Sequence, residues 1–267
     1  MSTCYIIHFP NGASGHFVIS SIGHLFHGTE IYIDLLGSCH RLWENNQAGN
    51  SFPISWAHKD VYEIRNHNWN NLNNVLIGCH RFGAENLYKI NLNEKFDDVI
   101  LVDVFVEKDE WPKVHALGRA KFPALMRAKK PMLKSYKKID NLYKRLIAQK
   151  QITTTTKWEY EKTKDIVSFD NFCDNFKNNA YYNVILDKEK VYKNLHISKE
   201  YTIPYKYIFN DPENLYKVFK EITGKDVDNY IKDKHQLYIK RNKKFVSKFL
   251  KYIDFDTGFV KQDYNEI

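Results

Sequence analysis

The stretch Tyr5-Ile6-Ile7-His8-Phe9-Pro10-Asn11-Gly12-Ala13-Ser14-Gly15-His16-Phe17 decides the fold. It opens as a short apolar run, turns through the small residues Asn11 to Gly15, and continues to Leu25 with helical spacing. Strand, small-residue turn and helix in this order suit a bound phosphate or sulfate. Small residues let backbone N–H groups converge on an anion, and the helix N-terminus adds unpaired donors and the positive end of its dipole.

Outward from this stretch, apolar β-branched runs recur at Glu30–Leu36, Asn74–Cys79, Val99–Phe105 and Ile203–Phe209, with room for helices between them. That alternation predicts an α/β fold with a mainly parallel sheet flanked by helices. Phe17, Ile19, Ile22, Leu25 and Phe26 share one side of a first helix, and Leu215, Val218, Phe219 and Ile222 share one side of another. The second helix is punctuated by Asp211 as N-cap, Pro212 as first helical residue, Glu213 in the first turn and Gly224 at the stop.

The 267 residues are long enough for one large α/β domain spanning 1–267. A helical insertion is expected over about 111–200, between the fourth and fifth runs, and a basic helical C-terminal region over about 226–253. The tail after Asp254 reads as irregular, and the polar run Gln151–Lys157, with Thr153 to Thr156, reads as a surface loop.

Hydrophobic residues make up 43% of the chain, which is enough for a folded core and argues against disorder. The net charge of +8 is concentrated: Lys113 to Lys150 holds Arg119, Lys121, Arg127, Lys129, Lys130, Lys134, Lys137, Lys138, Lys144 and Arg145 against the single acid Asp140. Such a block suits either a solvated helical face or a polyanionic partner. Aromatics lie among these bases, but no recognised nucleic-acid module accompanies them, so nucleic acid is not the expected partner.

Cys4, Cys39, Cys79 and Cys173 show neither zinc-ribbon nor disulfide spacing, and a reducing compartment is the simplest setting. His24 and His27 share an i, i+3 spacing without a carboxylate or cysteine to complete a ligand set, so no metal is expected. No signal peptide or membrane span is apparent, and a soluble, cytoplasmic chain without a membrane partner is the expectation.

The turn lacks the Gly-Lys-Ser/Thr ending that nucleoside triphosphatases use for terminal phosphates and magnesium, since His16 and Phe17 follow Gly15. Pro10, Ser14 and Gly15 instead resemble the 5′-phosphosulfate loop of the sulfotransferase family, where a strand ending in Pro leads to a basic residue, Ser-Gly-Thr and a helix. Two positions depart from that pattern: Ala13 stands where the family has Lys or Arg, and His16 replaces the Thr. The run Asn74–Cys79 ends in His80, 65 residues after Gly15, and resembles the family's strand ending in the histidine that deprotonates the acceptor. Ile203 to Pro212, leading into the helix that stops at Gly224, resembles a third family segment.

The resemblance implies a P-loop-like sulfotransferase architecture. It also implies transfer of a sulfuryl group from the co-substrate 3′-phosphoadenosine 5′-phosphosulfate, a nucleotide sulfate donor, to a hydroxyl or amine acceptor such as a glycan or small hydroxylated molecule. Asn11, Gly12, Ala13, Ser14, Gly15, His16 and Phe17 would hold the 5′-phosphosulfate, and His80 would be the general base. The family's Arg for the 3′-phosphate has no counterpart at Val104-Phe105-Val106, leaving Lys108, Lys113, Arg241 and Lys243 as candidate cations. A non-catalytic anion- or nucleotide-binding protein on the same fold, and a basic nucleic-acid-binding protein, are the alternatives.

Overall fold

The computed structural model describes residues 2–10, 12–33, 37, 39, 73–79, 91–107, 110, 114, 192 and 195–244, together with the backbone of 54–56, 245–254 and 259–260. Strands β1 (Thr3–His8), β2 (Ile54–Trp56), β3 (Asn74–Cys79), β4 (Asp98–Phe105) and β5 (Lys199–Pro204) form one sheet in the order β2-β3-β1-β4-β5. Every pairing in it is parallel. The helices are α1 (Gly15–His27), α2 (Tyr205–Asn210), α3 (Pro212–Thr223) and α4 (Asn229–Tyr252).

The central strands are apolar on both faces because both faces are covered. Successive side chains of β1 alternate between two cores. Tyr5, Ile7 and Phe9 join Phe17, Ile19, Ile22, Phe219 and Ile231 in one, while Cys4 and Ile6 join Val75, Ile77, Val99, Leu101, Phe96 and Tyr192 in the other. Each fully buried aliphatic or aromatic side chain of these cores contributes about 1.5–3 kcal/mol.

Helix α3 carries the predicted punctuation. The Asp211 side chain accepts from the Asn214 amide at 3.3 Å, Pro212 begins the helix, and Gly224 stops it at φ 70° with its N–H donating to the Lys220 carbonyl. Helix α4 is one helix over the basic C-terminal stretch, capped by Asp228, whose Oδ1 accepts from the Ile231 amide at 2.9 Å.

Three expectations are corrected. Of Glu30–Leu36, expected to be a strand, residues 30–33 are described, and among the described residues they pair with no strand, although Ile31 and Ile33 are buried and Glu30 and Tyr32 exposed. Side chains of α4 bond its backbone instead: the Tyr230 hydroxyl accepts from the Ile31 amide at 2.8 Å, and the Arg241 guanidinium donates to the Ile33 carbonyl. The last strand of the sheet lies earlier than the apolar run, at Lys199–Pro204, and Tyr205–Asn210 is helical, with Ile208 buried on the side that faces the core. The tail expected to be irregular after Asp254 contributes Phe259–Val260, paired antiparallel with Ile253–Asp254.

Of the helical insertion expected over 111–200, only Val114, Tyr192 and 195–200 are among the described residues, and Lys199 and Glu200 already belong to β5. The rest of the basic block and the Thr153–Thr156 run lie outside them. Among the described residues no helix is long and apolar enough to cross a membrane.

Candidate functional site

Chain order and strand order together locate a site. From central β1 the chain proceeds to β2 on one side of the sheet, and from β4 it proceeds to β5 on the other. The winding direction therefore reverses between β1 and β4, and in open parallel sheets the crevice beyond the carboxyl ends at such a reversal is where ligands bind.

The turn from β1 to α1 lies at that edge. Gly12 has φ 86° and Ser14 φ 65°, so the backbone twice enters the left-handed region before the helix begins. The Ala13 amide donates back to the Pro10 carbonyl at 3.0 Å, and the Phe17 and Val18 amides both donate to the Ser14 carbonyl. Gly15 fits only as glycine: a Cβ there would stand 1.9 Å from Cγ of Phe9, whose ring lies over the first turn of α1.

Ala13, Ser14, Gly15 and Phe17 are buried, whereas Gly12 and His16 are partly exposed. The Ser14 hydroxyl accepts from the Tyr238 hydroxyl of α4 at 2.8 Å. Burial drives the Tyr238 phenol well above its ordinary pKa, so it remains a donor. Phe17 stacks on His235 and Tyr238 with ring centroids 4.9 and 4.6 Å away. Of the residues expected to hold an anion, Gly12 and His16 are thus at the surface of the turn, and Ala13, Ser14 and Phe17 anchor it inward. Asn11 and the expected base His80 lie outside the described residues, as do Lys108 and Lys113. Arg241 bonds the Ile33 carbonyl, and Lys243 is exposed.

At the same edge the strand register sets three side chains in a row that sequence reasoning did not pick out: His8 lies opposite Cys79 on one side and opposite Asp103 on the other. All three belong to the face that carries Cys4 and Ile6, opposite α1. Nδ1 of His8 is 2.9 Å from Oδ1 of Asp103, with His8 only 5% and Asp103 only 7% exposed. The Tyr192 ring meets the imidazole edge-on, 5.4 Å between centroids.

A carboxylate accepts but does not donate, so Nδ1 of His8 carries the proton and Nε2 presents a lone pair when the ring is neutral. Cys79 is no nucleophile, because burial pushes its thiol up to about 12, with the Tyr192 hydroxyl acting the other way. Two titratable groups inside otherwise apolar parallel strands, each near the carboxyl end, were the available signal in the sequence.

Among the described residues no group of three or more His, Cys, Asp or Glu side chains could hold a metal ion. No family model matches the sequence, and no curated protein and no solved structure matches the chain.

Proposed function

We propose that the carboxyl edge of this sheet binds a nucleotide-borne anion and that the chain transfers a sulfuryl group from 3′-phosphoadenosine 5′-phosphosulfate to a hydroxyl or amine acceptor, with a histidine as general base. The observation that supports this reading is the place of the turn: it leaves the central strand beside the winding reversal and runs directly into the N-terminus of α1. Amides of the turn and the dipole of the 13-residue helix would hold the 5′-phosphosulfate. Sulfuryl transfer resembles phosphoryl transfer in its loose transition state, so fixing donor and acceptor in line is most of the catalytic task.

The test is a melting curve with and without millimolar 3′-phosphoadenosine 5′-phosphate. The expected result is a higher Tm with the nucleotide and a smaller rise in His16→Asp, whose carboxylate favours the helix N-terminus but repels an anion there. No rise in the natural chain overturns the donor assignment.

A second reading, a non-catalytic anion- or nucleotide-binding protein, is favoured by one observation. Ala13 is buried where the resembling loops carry a cation, and the Ser14 hydroxyl is held by Tyr238. Nucleotide binding without transfer to any of a panel of hydroxyl and amine acceptors selects this reading.

A further inference from the structure

Resting on the sulfuryl-transfer reading, we propose that His8, in place of His80, is the base that takes the acceptor's proton and that Asp103 is the residue that positions it. The pair is built, since two adjacent parallel strands hold His8 and Asp103 at one register position and bring Nδ1 and Oδ1 to 2.9 Å in a buried setting. Among the described residues nothing hydrogen-bonds to Nε2 of His8, although the side chain is more than nine-tenths buried. His235 is the contrast within the same molecule: its Nε2 donates to the Ile208 carbonyl at 2.6 Å and its Nδ1 lies 2.9 Å from the Tyr216 hydroxyl.

Position agrees with the chemistry. The turn bends toward the α1 face, whereas His8 and Asp103 belong to the opposite face of the same edge. An in-line displacement requires the attacking and leaving oxygens on opposite sides of the sulfur, and His8 lies at the edge beside the turn. Nε2 of His8 takes the hydroxyl proton as the acceptor oxygen bonds to sulfur. The bond from sulfur to the bridging oxygen breaks, and its electron pair leaves with the nucleotide phosphate. The Asp103 carboxylate then faces an imidazolium and stabilises it, as the orienting acid does in a Ser-His-Asp triad. Among the described residues, Cys79 lies beside His8 in register and the Tyr192 ring meets the imidazole edge-on.

The experiment uses the full chain and has two arms. Diethyl pyrocarbonate acylates imidazole nitrogens that bear a lone pair, and peptide mass mapping is expected to show His8 modified well before His235. Bound 3′-phosphoadenosine 5′-phosphate together with an acceptor is expected to protect His8. In the second arm His8→Asn keeps a donor for Asp103 but has no Nε2, and its turnover is expected to fall by about 10²–10⁴-fold while the nucleotide-induced Tm rise persists. Asp103→Asn is expected to reduce turnover and to change the acid limb of the pH–rate profile, which a purely structural role would leave in place. His8 inert to acylation, or His8→Asn with natural turnover, overturns the assignment. Reactive His8 in a chain with no nucleotide-induced Tm rise overturns the sulfuryl-transfer reading and retains His8 as a base for another acceptor chemistry.

Discussion

The Tyr238 hydroxyl donates to the Ser14 hydroxyl at 2.8 Å, tying the C-terminal helix α4 to the turn that leaves the first strand, 224 residues away in sequence. Both groups are buried, and the phenol ring stacks on Phe17 one turn further along α1. The candidate anion turn is therefore held from behind by α4, which also bonds Ile31 and Ile33 beyond the other end of α1.

Removing the two partners of this bond has unequal consequences. Tyr238→Phe deletes the donor but leaves the ring, and is expected to cost about 1 kcal/mol. Ser14→Ala removes the serine from two buried phenols, Tyr238 and Tyr205, and is expected to cost more, about 1–3 kcal/mol. Urea unfolding of the single and double variants measures both, with the double variant expected to be more stable than the sum of the single losses implies. Equal and additive losses count against the bond as the link between α4 and the turn.

Gly15 is expected to be the least replaceable residue of the turn. The place of its absent Cβ is filled by the body of the Phe9 ring, which is itself buried. Gly15→Ala is expected to cost about 3 kcal/mol from overpacking. Gly28, at φ 67° with open space around it, isolates the backbone effect, and Gly28→Ala is expected to cost about 1–2 kcal/mol. Combining Gly15→Ala with Phe9→Ala should recover part of the Gly15→Ala loss, and denaturant midpoints decide whether it does.

The parts legible in the sequence are those whose backbone partners are regular. Asn74–Cys79 reads as a strand and is one, and Asp211-Pro212 to Gly224 spells out α3 because its caps are local. Glu30–Ile33 carries the same alternation of buried and exposed residues as a strand, yet its Ile31 amide and Ile33 carbonyl bond the side chains of Tyr230 and Arg241, which periodicity does not report. Tyr205–Asn210 is as rich in aromatics as a strand, and packing of Ile208 on the core decides for helix. The turn at the reversal point was legible from its small residues. His8 and Asp103 were not, because 95 residues separate them and only the parallel register of β1 on β4 makes them neighbours.

The Asp211 cap provides a local check on α3. Its Oδ1 accepts from the Asn214 amide at 3.3 Å and its Oδ2 from the Asn214 side-chain amide at 2.6 Å. Asp211→Ala is expected to lower stability by about 1 kcal/mol, and Asp211→Asn, which can still accept from the backbone, by less. Thermal unfolding followed by circular dichroism separates the two. An alanine variant as stable as the asparagine one argues that Pro212 and packing alone start the helix.

His235 gives the fold a pH dependence whose sign is fixed by its surroundings. Burial lowers its pKa below the ordinary 6.5, and the Ile208 carbonyl acts the other way without cancelling the effect. The folded ring therefore stays neutral where the unfolded chain already binds a proton. Wherever the unfolded state binds more protons, stability rises with pH, so this contribution is fully present above 6.5 and is lost as pH falls through the folded value. His27, also lowered mainly by burial, acts in the same direction, whereas Asp228, held below its ordinary 3.8, adds its dependence only in more acid solution. His235→Gln supplies an amide donor for the Ile208 carbonyl and an acceptor for the Tyr216 hydroxyl, and it does not titrate. Unfolding free energies measured from pH 8 down to pH 5 are expected to fall less steeply in His235→Gln than in the natural chain below about pH 6.5. Parallel curves would mean that protonating His235 is no more costly in the folded chain than in the unfolded one, and the buried bond to Ile208 would then have to accommodate an imidazolium.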